Sequence, residues 1–310
     1  MASSVDSVGP GNGMLQRVRL AGRPLLRGYA RNHRLYHALA ILLIVAGLAV
    51  VGPVVWSHDP SAVSPQTRLV GPSASHPMGT DDLGRDVFAR LMSGARVSLL
   101  AVLISVSISF VAGFVPGLIA GYVGGRADRL ITRTVDGIVA IPPLILAITL
   151  VALLGPGLFN GMLAVGLVLA PRLLRVVRSA VLSVREELYV DAAITIGSST
   201  ARIVRKHIVR NVIGPTLVIL STVAGYAMFA EASLSFLGLG VQPPQASLGS
   251  MVQIGVTYLH VAPWLVYAPS LVIVVAVYSL NSLSDELARR RADRTVSSVD
   301  RRSHQPEGGV

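Results

Sequence analysis

The sequence predicts an all-α integral membrane protein with six transmembrane helices, and three observations carry this prediction. Of its 310 residues, 52% are hydrophobic and only 14% are charged, so that the mean hydropathy is +0.63. Several long stretches contain no Asp, Glu, Lys or Arg, and about 20 apolar residues suffice for a helix to cross a hydrocarbon core of about 30 Å. The basic residues cluster between these stretches, as they do in the cytoplasmic loops of membrane proteins.

Charge-free runs place the six spans. The runs are 37–57, 97–125, 137–171, 211–230 and about 263–283. The run 137–171 is too long for one helix, and the turn residues 155–157 with Asn160 divide it into the third and fourth spans. Pro142 and Pro143 are expected to kink the third span, because a proline within a helix removes a backbone donor. Trp56 stands at the end of the first span, where an interfacial aromatic residue belongs.

The distribution of positive charge predicts the orientation. With the N-terminus inside, 23 of the 27 Lys and Arg residues fall in inner segments. The other four lie in the first outer loop, at Arg68, Arg85, Arg90 and Arg96. Because basic residues accumulate on the cytoplasmic side of short loops, both termini are expected in the cytoplasm of a multi-pass protein of the inner or plasma membrane.

The resulting organisation has five parts, of which the termini are the least apolar. They are a cytoplasmic Arg-rich tail at 1–36, the first transmembrane helix at 37–57, an extracytoplasmic loop with a short amphipathic helix at 58–96, a core of five transmembrane helices at 97–284 with a cytoplasmic loop at 185–210, and a cytoplasmic tail at 285–310. The last tail is rich in Arg, Ser and Gly and is expected to be disordered. The apolar stretch behind the first tail is too long for the core of a signal peptide, which predicts an uncleaved anchor.

The outer loop carries a helical pattern and a cluster of acidic residues. From Leu83 onward, apolar residues recur at helical spacing, which predicts a short interfacial helix leading into the second span. Asp81, Asp82 and Asp86 could form a metal site, or they could cap the helix start and pair with arginines. We favour capping and pairing, and the sequence predicts no metal site here.

The inner loop between the fourth and fifth spans is the most informative segment. Tyr189, Ala192, Ala193 and Ile196 are expected on one face of a short helix. Gly197 can end this helix in a left-handed conformation. A bulky replacement of Ala193 or Gly197 is expected to create steric overlap on a surface that faces a partner.

A second short helix is expected after Gly197, with Ser198, Ser199 and Thr200 as N-cap candidates. Its apolar stripe comprises Ile203, Val204 and Ile208, and its basic face comprises Arg202, Arg205 and Lys206. Such a pair of helices suits a groove on a partner protein. The alternative is an amphipathic segment lying on anionic lipid headgroups.

This loop resembles the coupling motif of ABC importer permeases, in which Glu-Ala-Ala is followed by three residues, Gly, nine residues and Ile-x-Leu-Pro. The segment Asp191-Ala192-Ala193 and Gly197 match the motif, and Tyr189 and Ile203 lie within the same loop. His207 followed by Ile208 is similar to the dipeptide/oligopeptide/nickel branch of the family. Val209 and Arg210 stand where the motif has Leu and Pro, so a helix breaker is missing at the start of the fifth span.

Two further segments, 76–100 and 231–244, are similar to the second of the two permease subunits in that branch. The resemblance implies a type I ABC importer permease fold. It also implies a homologous second permease in a heterodimer, two cytoplasmic ABC ATPases and an extracytoplasmic solute-binding protein as partners. Membrane lipid is expected around the spans. The resemblance implies import of peptides, as in most members of the family, or of nickel or other small solutes, as in some, and we expect transport to proceed by alternating access.

The chain is not expected to supply the energy for transport. A P-loop needs a lysine after a glycine-rich turn, and the only lysine, Lys206, has no neighbouring glycine. A gradient-driven carrier is the alternative from another class, but such carriers keep ionisable residues inside their spans. Here Asp136 and Glu231 are expected at span ends. The basic residues flank spans, which argues against nucleic-acid binding, and the sequence predicts neither an enzyme nor a cofactor site.

Glu231 has two interpretations that the sequence leaves open. Together with Ser235 and Phe236 it could line the translocation path or form an outer gate. Alternatively, its carboxylate could cap backbone groups in the turn that follows the fifth span.

Overall fold

The computed structural model describes residues 36–56 and 58–303, and the surroundings of side chains up to residue 289. Within these ranges the regular elements are helices. They are α1 (Tyr36–Val55), a 3-10 turn (Pro65–Thr67), α2 (Val87–Val123), α3 (Gly125–Val139), α4 (Pro143–Leu154), α5 (Leu158–Arg185), α6 (Leu188–Thr195), α7 (Thr200–Ile203), a π-helical turn (Val204–Ile208), α8 (Val209–Phe236), α9 (Leu248–Thr257) and α10 (Trp264–Ser303). The predicted N-terminal tail lies outside the described residues except for Tyr36.

The count of membrane spans differs from the prediction of six. Four described segments are long and apolar enough to cross a membrane: α1, α2, the segment Thr200–Phe236 and the first part of α10, Trp264–Arg289. A bent pair, α3 with α4, raises the number to five if it forms one span. The predicted fourth span lies in α5, which continues beyond Pro171 and there carries Arg172, Arg175, Arg178 and Arg185.

The third span is broken and not merely kinked. α3 and α4 meet at an angle of 93°. Pro142 has an extended backbone (φ −54°, ψ 130°) and precedes Pro143, the first residue of α4. Proline fits the first position of a helix but disfavours the helical conformation in the residue before it, and here two adjacent prolines lie where one helix ends and the next begins. At 12 residues, α4 is too short to cross the hydrocarbon core alone.

Three predicted boundaries are wrong because helices continue through them. The amphipathic helix of the outer loop and the second span form one helix of 37 residues, α2. The second short helix of the inner loop continues without a break into α8, through Arg210, where the coupling motif has its proline. The tail expected to be disordered is helical as far as Ser303, because Ala, Leu, Glu and Arg are strong helix formers.

Glycines allow α2 and α5 to pack closely against each other. Gly113, Gly117 and Gly121 recur every four residues along α2 and face α5. A Cβ atom on Gly117 would lie 2.9 Å from the carbonyl oxygen of Leu174. From the opposite side, a Cβ atom on Gly166 of α5 would lie 2.8 Å from the carbonyl oxygen of Ser105. Small residues at such spacing let two membrane helices pack backbone to backbone.

Two apolar clusters lie along this helix pair. The first contains Leu91 and Val102 of α2, Met228 and Leu234 of α8, and residues of α9 and α10. The second lies at the other end of α2 and brings together Phe114, Leu173, Val177, Val181, Val190, Ala193, Ile203, Ile208 and Val212. We call this second group the inner cluster. It joins α6 and the segment 200–208 to α5 and α8, and so it positions the candidate site.

Candidate functional site

The short helix α6 rests on the inner cluster by one face. Val190 is fully buried, and Ala193 is 6% exposed. Both contact the cluster that includes Val181 of α5 and Val212 of α8. Three residues apart in sequence, they lie on the same side of the helix. Ala193 is therefore turned towards its own chain, and the prediction that it faces a partner is wrong.

The opposite face of α6 is exposed and largely apolar. Leu188 is 84% exposed and Ile196, directly after the helix, is 80% exposed. Ala192 is exposed between them, and the spacing of four residues aligns the three side chains in one row. We call Leu188, Ala192 and Ile196 the exposed stripe. Of the residues predicted to share a face, Ala192 and Ile196 lie on this stripe, Tyr189 lies beside it, and only Ala193 points inward.

The end of α6 is fixed by Gly197. Its φ is +76°, as predicted for a left-handed helix terminator. The Gly197 amide donates to the carbonyl of Ile194 at 2.9 Å, and the Ser198 amide donates to the carbonyl of Ala193 at 3.0 Å. This pair of bonds is the Schellman arrangement. It sets the direction in which the chain turns back towards α7.

The segment 200–208 has a buried side and a basic side, as the sequence predicts. Ile203 and Ile208 are buried in the inner cluster, and Val204 is half-buried. The side chains of Arg202, Arg205, Lys206 and Arg210 are exposed. Ser199 occupies the N-cap position of α7 but makes no side-chain capping bond. The helix widens to a π turn over Val204–Ile208, an irregularity that is frequent at functional positions.

A polar contact ties α6 to this π turn. The rings of Tyr189 and His207 lie 5.8 Å apart, between centroids. The Asn211 side-chain amide donates to the Tyr189 hydroxyl at 3.1 Å and to the carbonyl of His207 at 2.7 Å. Burial and the nearby Glu187 carboxylate raise the pKa of Tyr189, which keeps the phenol neutral. The structure thus brings together two predicted residues and adds Asn211, which the sequence motif does not single out.

Glu231 lies in the interior of the chain. It is 1% exposed, and it lies within the continuous helix α8 and not at its end. Its carboxylate accepts a hydrogen bond from the Ser98 hydroxyl of α2 at 2.8 Å and from the Ser235 hydroxyl at 2.8 Å. The Leu248 amide, at the start of α9, donates to Ser98 Oγ at 3.4 Å. This burial favours a structural role over a lining of the path, whereas Phe236 is 40% exposed.

Two substitutions of Glu231 should therefore distinguish a structural role from a role in the translocation path. We expect Glu231→Leu to lower stability by about 1–3 kcal/mol, because it leaves buried hydroxyl groups without their acceptor. Glu231→Gln keeps a polar group of the same shape, and we expect near-normal stability and uptake of cationic and neutral peptides alike. Thermal unfolding in detergent and uptake by the assembled transporter measure these effects. Selective loss of cationic peptides in Glu231→Gln would instead assign Glu231 to the path.

The acidic residues of the outer loop are engaged within the chain. Asp81 accepts from Arg85 Nε at 2.7 Å and forms an ion pair with Arg90 at 3.3 Å. Asp86 Oδ1 accepts from the Ala89 amide at 2.8 Å and caps α2. Asp82 lies 3.5 Å from Arg85 Nη2. This arrangement agrees with capping and arginine pairing.

Comparison with known proteins gives a consistent result. A family model described as "Binding-protein-dependent transport system inner membrane component" matches residues 113–293. A putative peptide transport system permease protein of Brucella suis is 39% identical over 270 residues, which cover 87% of this chain and 90% of that protein. The probable D,D-dipeptide transport system permease protein DdpC of Escherichia coli is 39% identical over 245 residues, 79% of this chain and 82% of that protein.

Solved structures show the same fold. A chain of the MetNI methionine ABC transporter, in an inward-facing conformation, superposes with a TM-score of 0.54 at 19% identity, covering 65% of this chain and 95% of that one. A chain of an amino acid ABC transporter superposes with a TM-score of 0.51 at 16% identity, covering 64% and 93%. At this identity the likeness concerns the fold alone.

Proposed function

Since the chain belongs to the family of binding-protein-dependent transport system inner membrane components, we propose that it is the permease subunit of an ATP-driven importer of di- or oligopeptides. It pairs with a homologous second permease, and the two enclose the translocation path. Two cytoplasmic ATPases and an extracytoplasmic binding protein complete the transporter. Peptides are favoured as the solute over nickel or another small solute, because the relatives are peptide or dipeptide transport permeases by name.

The observation that carries this proposal is the two-sided character of α6. The exposed stripe presents Leu188 and Ile196 to a partner. The other side of the same short helix packs through Val190 and Ala193 on α5 and α8. A force applied to the stripe is therefore delivered to two long helices. Predominantly apolar exposure on a helix that lies outside the long spans suits a groove on a protein.

The route of the movement follows from the contacts that connect α6 to the rest of the chain. The Schellman turn at Gly197 fixes α6 relative to α7, and the contact of Tyr189 with Asn211 fixes it relative to α8. α7, the π turn and α8 are continuous, so that a displacement of α6 tilts α8 as a unit. Closure of the ATPases would move α6, and the two permeases would rock to open the path on alternate sides.

ATP and not an ion gradient is the energy source in this proposal. The chain has no phosphate-binding lysine loop, so hydrolysis belongs to the ATPase partners. The sequence predicts Glu231 at the end of a span, but the structure places this ionisable group inside a long helix. A gradient-driven carrier would use an ionisable group in such a position. The two serine donors to Glu231 support a structural function instead.

Reconstitution tests the proposal. The complex that co-purifies with the chain in mild detergent is placed in liposomes with the binding protein outside and nucleotide inside. We expect uptake of a labelled dipeptide with ATP, and none with ADP or with a proton or sodium gradient alone. Nickel uptake without peptide uptake would show that the solute is nickel and not a peptide. Gradient-driven uptake without ATP would contradict the proposed mechanism.

A further inference from the structure

Three residues with metal-binding side chains converge on the connection between α1 and α2. His58 follows the end of α1, His76 lies in the loop, and Asp86 is the N-cap of α2. One ligand atom from each of these residues lies within 4.8 Å of the other two. The residues are up to 28 positions apart in sequence, so their convergence results from the folding of the whole loop. The site is on the side that the charge distribution predicts to be extracytoplasmic.

The positions of the two imidazoles are set by packing. His76 Nδ1 lies 2.8 Å from Asp86 Oδ2. The His58 ring stacks on Trp56, with centroids 4.8 Å apart, and meets the His76 ring edge-on at 5.9 Å. Trp56 in turn contacts Phe88 of α2 at 5.5 Å. The pair of histidines is thus held against the start of α2 by aromatic contacts.

From this arrangement we propose that His58, His76 and Asp86 bind one divalent transition-metal ion of the Zn²⁺ class. Imidazole nitrogens and a carboxylate oxygen are ligands that Zn²⁺ and its neighbours in the first transition row accept, with bonds of about 2.0–2.2 Å. A tetrahedral ion with such bonds holds its ligand atoms roughly 3.4 Å apart. When the ion binds, the distance between His76 Nδ1 and Asp86 Oδ2 increases by about half an ångström, and the exposed His58 ring moves towards the ion.

The neighbouring acidic residues do not compete for this role. Asp81 is committed to Arg85 and Arg90, and Asp82 lies beside Arg85. Asp86 is different, because its Oδ1 caps α2 while its Oδ2 faces His76. Three protein ligands leave one coordination position for water. An ion bound by His58, His76 and Asp86 would cross-link the two ends of the loop 58–86 and so connect the end of α1 to the start of α2.

Binding of Zn²⁺ to the full chain tests the site. The chain is purified in detergent through a tag without histidine and titrated with Zn²⁺ by calorimetry, with X-ray absorption to count imidazole ligands. His58→Ala and His76→Ala are the test variants, because Asp86 also caps α2 and its removal perturbs the helix. His260→Ala is the matched control: His260 is exposed and lies outside the cluster.

We expect wild type and His260→Ala to bind one more Zn²⁺ than either test variant, or to bind it with an affinity about tenfold or more higher. The absorption spectrum of that ion should show two imidazoles with oxygen ligands. Equal binding by wild type and both test variants would overturn the site, as would loss in only one of them. Thermal unfolding of the metal-free variants confirms that each is folded.

Discussion

Ala192→Phe is expected to reduce solute-stimulated ATP hydrolysis by the assembled transporter strongly, while the chain stays folded and inserted. Ala192 is exposed in the middle of the exposed stripe, between Leu188 and Ile196. A phenyl ring there overlaps with any surface that receives the stripe, and overpacking at a close contact costs about 1–3 kcal/mol. We expect stimulation to fall roughly tenfold or more. The rate of ATP hydrolysis with and without solute-loaded binding protein measures it.

Ala193→Phe and Ala192→Ser are the matched controls. Ala193 lies in the inner cluster, so its enlargement should lower the thermal stability of the isolated chain, which Ala192→Phe should leave unchanged. Ala192→Ser adds one small atom and should keep stimulation near the wild-type value. If Ala192→Phe supports normal stimulation in the assembled transporter, the exposed stripe is not the docking surface.

Gly117→Val is expected to separate α2 from α5 and to prevent a stable fold. The new Cβ atom would lie 2.9 Å from the carbonyl oxygen of Leu174 and 3.0 Å from the Cβ atom of Val177. Neither neighbour is the end of a flexible side chain, so the helices themselves must move apart. We expect a loss of stability of about 1–3 kcal/mol or more. The fraction of monodisperse protein that survives heating in detergent measures this loss.

Gly47→Val serves as the control for Gly117→Val. Gly47 also lies inside a long apolar helix, α1, and a Cβ atom added there meets nothing within 4 Å. We expect its heating curve to follow that of wild type. Equal losses for the two variants would show that valine disturbs membrane insertion in general, and normal behaviour of Gly117→Val would contradict the close contact.

The inner loop between α5 and α8 shows how far local sequence could predict the site. The left-handed φ of Gly197 and the burial of Ile203 and Ile208 follow from short-range patterns, and the structure has both. The direction of Ala193 does not. Ala192 and Ala193 differ only in which one meets α5 and α8, and that is decided by long-range packing. The side chain of a small residue such as alanine is too weakly hydrophobic for the sequence to show on which face of a helix it lies.

Helix ends were predicted least well. Charge-free runs mark where a helix can lie in lipid, but a helix continues until a residue stops it. α2 continues through Pro116 from Asp86 to Gly124, and the segment Thr200–Phe236 continues through Pro215, so both exceed their predicted spans. The row of Gly113, Gly117 and Gly121 was visible in the sequence as a repeat of four. This repeat is the signal in the sequence that predicts close packing of α2 against another helix.

Glu231 and the outer histidines depend on contacts that no local pattern shows. Ser98 and Glu231 are separated by 133 positions, and His58 meets His76 only because the loop folds back. The sequence singles out Glu231 as an acidic residue beside a membrane span, but it does not show which residues contact the carboxylate. Long-range polar contacts of this kind became visible only in the structure.

Protection of a single cysteine on α6 tests most directly whether α6 docks on the ATPase. The natural chain has no cysteine, so Leu188→Cys introduces a unique thiol in this subunit on the exposed stripe, and Val63→Cys provides a reference on the exposed outer loop. Labelling with a polar maleimide is measured in the permease pair alone and in the complex with its ATPases. We predict that Leu188→Cys reacts in the pair and is protected in the complex, while Val63→Cys reacts equally in both. Equal reactivity of Leu188→Cys in the two preparations would contradict the account.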